Sequence, residues 1–152
     1  MQHDVNVMEI KEILNPKGWL IGMGIVVMLL GTANVFTAAD VAEMGWGKGN
    51  VQPHDEAYEQ MWGLHMIPYG ILAIATGLLV KGKALSQMAM TASGAIIVIV
   101  GGGMMWLTNK HDYSNDGTAA MVLPLVVIGL TILMGISGYL HMNDGEEGGL
   151  SL

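Results

Sequence analysis

His65 is the one ionisable side chain set well inside an apolar stretch of this chain, in MWGLHMIPYGILAIATGLLV. Burying such a group in apolar surroundings is costly, so it is the first candidate for chemistry. At helical spacing Tyr58, Met61, His65 and Tyr69 share one face. Met104 and Met105 stand near the end of a third apolar stretch, with Lys110-His111-Asp112 just beyond, and Asn34 lies at similar depth in the first. One layer could therefore gather His65, Met104, Met105 and His111 as metal ligands. Imidazole with thioether suits copper(I), and His/Met is also an axial pair for haem iron. No HxxxH or HExxH spacing supports the set, and His54 lies about 16 Å from His65 along a continuous helix, too far to share a metal. The competing reading is an interfacial histidine hydrogen-bonded to a carbonyl or to water.

Other chemistries find less footing. Cysteine is absent, which removes thiolate ligands, Cys nucleophiles and disulfides. All six basic residues are Lys, so no guanidinium fork is present for phosphate or carboxylate. A net charge of −7 argues against nucleic acid as a partner. Gly45, Gly47 and Gly49 flank Trp46 without the GK[ST] of a phosphate loop. Neither a nucleophile elbow nor a metalloprotease motif occurs. Asp40, Glu43, Asp55, Glu56, Glu59, Asp112 and Asp116 make two connecting segments acidic. Such carboxylates attract cations or a basic partner, but Asp55, Glu56 and Glu59 also suit the first turns of a helix starting near Pro53. His141 suits a helix C-terminus in the same way, and the fourteen Met residues read as packing.

The elements that must position these residues are apolar helices. Only 12% of residues are charged and 52% are hydrophobic, with a mean hydropathy of +0.49. A water-soluble domain carries about twice that charge. Four uncharged stretches, about 19–39, 61–80, 84–107 and 119–140, reach the roughly 20 residues needed to cross a bilayer. The expected fold is all-α: a polytopic integral membrane protein of four transmembrane helices in an up-down bundle, forming a single membrane domain over 1–152. The first stretch exceeds the h-region of a signal peptide. Asn15-Pro16 should start its helix, and Val5, Met8, Ile10, Ile13 and Leu14 before it could lie on the membrane surface. Lys11, Lys17, Lys81 and Lys83 on one side against Lys48 and Lys110 on the other place both termini in the cytoplasm of a multi-pass cell-membrane protein. Residues 40–60 and 108–118 then form outer loops, and 141–152 an acidic cytoplasmic tail.

Small residues should bring the helices together, since apolar lipid leaves little hydrophobic drive between them. Gly18 with Gly22, Ala73 with Gly77, and Thr131 with Gly135 have small-xxx-small spacing. Gly101-Gly102-Gly103 needs support from neighbouring helices or marks a local break, and Pro68 and Pro124 should kink their helices. With no catalytic set of its own, the chain reads as a small accessory subunit of a larger membrane enzyme complex, in oxidoreduction or energy metabolism. The lipid bilayer and other membrane subunits are its expected partners. A stand-alone copper or haem redox protein built on the His65 layer is the alternative. A small transporter is the third, although the spans lack charged relays and the halves show no internal repeat.

Overall fold

The computed structural model describes residues 9–113 and 118–144, with side chains of the last helix from Val122 onward. Val5, Met8, Asp116, the Met121 side chain and the tail after Asp144 lie outside the described residues. Helical residues 9–13 lead into α1 (Pro16–Phe36), followed by α2 (Ala38–Trp46), α3 (Asp55–Leu79), α4 (Gly82–Ala95), a π-helical turn (Ile96–Gly101), α5 (Gly102–His111) and α6 (Thr118–Leu140). The described residues contain no strand. Four helical segments are long and apolar enough to cross a membrane: Glu9–Phe36, Asp55–Leu79, Gly82–His111 and Val122–Leu140.

The helix ends follow from local chemistry. The Asn15 side-chain oxygen accepts from the N–H groups of Lys17 at 3.0 Å and Gly18 at 3.4 Å, with Pro16 in the first helical position, as the sequence predicts. The break after α1 comes at Thr37, which turns both its hydroxyl and its N–H onto the Ala33 carbonyl. Residues 40–60 are not all loop. Ala38, Ala42 and Gly45 recur at helical spacing and are buried, so α2 folds back on the bundle as a short helix. Gly47 closes it at φ 82°, a conformation that strains any residue with a Cβ. The third helix starts at Asp55, close to Pro53 where the acidic residues suggest a helix start, and runs unbroken into the apolar stretch, with Glu59 in its second turn.

Two antiparallel pairs make up the bundle. In the first, α1 lies against α3 with backbone nearly touching backbone. A Cβ on Gly24 would stand 2.7 Å from the Gly70 carbonyl oxygen, one on Gly31 2.8 Å from that of Gly63, and one on Gly77 3.1 Å from that of Lys17. The contacts recur every seventh residue, rising along α1 and falling along α3, the heptad spacing that keeps one face of each helix against its partner. Gly77 belongs to this seam and Ala73 is half-buried near it. Gly18 and Gly22 have nothing within 4 Å of a built Cβ.

The second pair is α4 with α6, joined by small polar residues. The Ser93 hydroxyl donates to the Thr131 carbonyl at 2.7 Å, and a Cβ on Gly135 would lie 2.5 Å from that same hydroxyl. Gly138 approaches the Ser86 carbonyl in the same manner, and the Ser86 hydroxyl donates to the His141 carbonyl at 3.1 Å. Leu20 and Met23 of α1, Leu85 and Ala89 of α4 and Met134 of α6 form the buried cluster that joins the pairs. The triple glycine follows a local break: the π-helical turn ends at Gly101 and α geometry resumes at Gly102. A Cβ on Gly101 would stand 3.9 Å from Ile128, and one on Gly102 or Gly103 would meet nothing within 4 Å. The helix runs on through Pro68 and Pro124.

Small residues line the seams while the bulky apolar ones point away. Phe36 is 82% exposed, Leu79 79% and Val98 73%. A water-soluble protein has the reverse arrangement. The seam predicts that Gly31→Val, which forces a side chain into the Gly63 backbone, destabilises the fold by about 1–3 kcal/mol or more. Gly22→Ala should be neutral. Thermal unfolding followed by circular dichroism in detergent distinguishes the two.

Candidate functional site

A polar constellation built on a buried carboxylate and joining separate elements lies at the end of the bundle opposite the described termini. Glu59, in the second turn of α3, is 8% exposed. Asn34, near the end of α1, donates from Nδ2 to the Glu59 carbonyl at 2.9 Å and to its Oε2 at 3.3 Å. Tyr113 donates its hydroxyl to Oε1 at 2.9 Å. Each carboxylate oxygen therefore has a neutral donor.

Tyr113 reaches Glu59 through a sharp reversal. Asp112 caps α5 in the left-handed conformation, at φ 53°, and turns the chain back. The Thr108 hydroxyl then holds the Tyr113 carbonyl at 2.8 Å. The phenol ring lies on Gly45, where a Cβ would sit 2.6 Å from Cε2. Trp46 closes edge-on, with ring centroids 4.9 Å apart. The α2 helix thus supplies a glycine floor and an indole wall for a side chain from the far connection. Burial is the largest cause pushing the Tyr113 phenol well above the ordinary tyrosine range, and the charge and hydrogen bond of Glu59 add to it. A phenol so placed keeps its proton and acts as a donor. One turn before Glu59, Asp55 is 6% exposed and its Oδ2 accepts from the Gln52 N–H at 2.6 Å, which fixes the start of α3.

The described partner of Asn34 is Glu59, not histidine. His65 is exposed, and its Nδ1 lies 2.7 Å from the Met61 carbonyl, to which it donates. That bond is the carbonyl contact of the competing reading, and it leaves Nε2 as the ring atom able to bind anything further. Met104 is half-buried and Met105 is 69% exposed. His111 stands edge-on to Trp106, over which Lys110 sits at 4.7 Å from the ring centroid. Among the described residues, no group of three or more His, Cys, Asp or Glu is placed to hold a metal ion. Sequence reasoning missed Glu59 and Tyr113 as partners. The available signal was Asn34, an amide in an apolar helix that must find a partner.

The arrangement is a polar clamp across three elements. No buried side-chain nitrogen or oxygen among the described residues lacks a hydrogen-bond partner. No protein-family model matches the chain, and neither does any curated protein or solved structure.

Tyr113→Phe should leave one Glu59 oxygen without its donor and lower stability by about 1–3 kcal/mol. Its pH signature is separable. A raised phenol pKa contributes stability that is present below about pH 10 and lost as pH rises beyond it. Unfolding midpoints measured between neutral and strongly alkaline pH should fall more steeply in the native chain than in Tyr113→Phe.

Proposed function

We propose that the chain is a small polytopic membrane subunit, crossing the bilayer four times with the described ends in the cytoplasm, and that it serves as an accessory component of a larger membrane complex. What supports insertion is the pairing of glycine seams inside with bulky apolar side chains outside. The placement of Lys11, Lys17, Lys81 and Lys83 at one end, against Lys48 and Lys110 at the other, supports the orientation.

The observation that carries the accessory role is the division of small residues into used and unused faces. Gly24, Gly31, Gly63, Gly70 and Gly77 are consumed within the chain, whereas Gly18, Gly22, Gly102 and Gly103 face open space. Gly18 and Gly22 line an apolar groove with Trp19, Val26 and Leu130. In lipid, a small-residue face left open is where another helix can approach closely. The polar clamp has its hydrogen bonds met internally, in keeping with a structural component.

Purification from native membranes in mild detergent, followed by mass spectrometry, tests this reading. The chain should co-purify with other membrane subunits in fixed ratio, and their identity will show whether the complex belongs to oxidoreduction or energy metabolism. Gly22→Leu should release them while leaving the chain folded. Recovery of the native chain as a lone, folded species would contradict the accessory role.

A further inference from the structure

At the end of the bundle that carries the described termini, three segments meet on one imidazole. His141, just past α6, has Nδ1 2.6 Å from Oδ2 of Asp144 and Nε2 2.9 Å from the backbone carbonyl of Lys11. Lys11 returns to the same carboxylate, with Nζ 2.7 Å from Oδ1. From α4, the Ser86 hydroxyl donates to the His141 carbonyl. The loop closes on itself: Lys11 offers an acceptor to the ring and a cation to the acid, and His141 bridges them.

Both groups that face the ring nitrogens are acceptors only. The ring can meet a carbonyl oxygen or a carboxylate oxygen only with an N–H, and neutral imidazole has one N–H. We propose that His141 acts as a pH-operated clasp: charged, it ties the segment before α1 to the end of α6, and neutral, it releases that segment. Losing either proton leaves a nitrogen lone pair aimed at an oxygen lone pair, at hydrogen-bond distance. Histidine is the side chain that changes charge in the physiological range, so the clasp opens as the compartment facing it becomes alkaline.

The charged groups facing the ring come from each flanking segment. Lys11 belongs to the leading segment and Asp144 to the trailing one. Across from them α4 presents the uncharged Ser86, with Lys83 one turn earlier on that helix. Asp144 sets the opposite limit. The Lys11 ammonium, foremost, and the His141 ring hold its carboxyl below the ordinary aspartate range. Its contribution is therefore present above that range and lost only as pH falls through the lowered value. The clasp is closed between the two limits.

The contacts are specific enough to test in the full-length chain in phosphatidylcholine nanodiscs. The sequence has no cysteine, so Glu12→Cys and Asn143→Cys can carry the only two spin labels. A single short label separation is expected near about pH 5.5, and it should be lost near about pH 9. In His141→Gln, whose amide cannot donate from both ends, the short separation should be reduced and no longer respond to pH. Imidazole nitrogen-15 shifts of the chain without the His141 change give a readout independent of that variant. His141 should carry two protons where the separation is short and one where it is lost. The same distance distribution at both pH values, a transition that survives His141→Gln, or a neutral His141 with the short separation intact would each overturn the proposal.

Discussion

Everything in this fold depends on how closely the backbones of α1 and α3 approach. Gly24 against Gly70 and Gly31 against Gly63 leave room for hydrogen and nothing more. A seam of that kind buries little apolar side-chain area. Its stabilisation comes from dispersion between backbones at full contact, which is short-ranged and lost with a fraction of an ångström of separation. The bulky residues that would fill a soluble core are displaced outward, an arrangement that suits an apolar solvent. The seam and the proposed membrane insertion therefore rest on the same observation.

The two helix pairs solve the same problem with different chemistry. Glycine carries the length of the α1–α3 seam, with Asn34 bonded to Glu59 at one end, while α4 and α6 add hydroxyl-to-carbonyl bonds at Ser93 and Ser86. Those hydroxyls sit where a larger side chain would hold the helices apart, as the approach of Gly135 to Ser93 makes plain. Each end of the bundle is then tied by a polar group from a connecting segment. Tyr113 closes one end on Glu59, and His141 closes the other on Lys11 and Asp144. The clamp at Glu59 uses neutral donors. The clasp at His141 combines an imidazole, a carboxylate and an ammonium group instead.

Much of the architecture is legible in the chain before any coordinates. Uncharged runs of bilayer length mark the four long helices, and Asn15-Pro16 marks where the first begins. The seam is harder to read because its glycines recur every seventh residue, whereas a search for small-xxx-small pairs looks every fourth. That search selects Gly18 and Gly22, which face open space, and passes over Gly24 and Gly31. Gly77, Thr131 and Gly135 emerge either way. The short α2 is hidden by its own glycines, since Gly45 and Gly47 resemble loop until Gly45 is seen lying beneath a tyrosine ring. Glu59 reads locally as one more acid in a first turn. Its role depends on Tyr113, far away in sequence and brought back by the left-handed turn at Asp112. Spacing along one helix cannot show such a pairing.

The most direct measurement is the fate of the native chain when membranes that contain it are washed with alkaline carbonate and pelleted. A fold with glycine inside and leucine, valine and phenylalanine outside suits lipid, and on the proposed insertion the chain should remain wholly in the pellet and leave it only with detergent. Release into the aqueous supernatant as a folded species would mean that water tolerates that outer surface, and the seam would need another explanation.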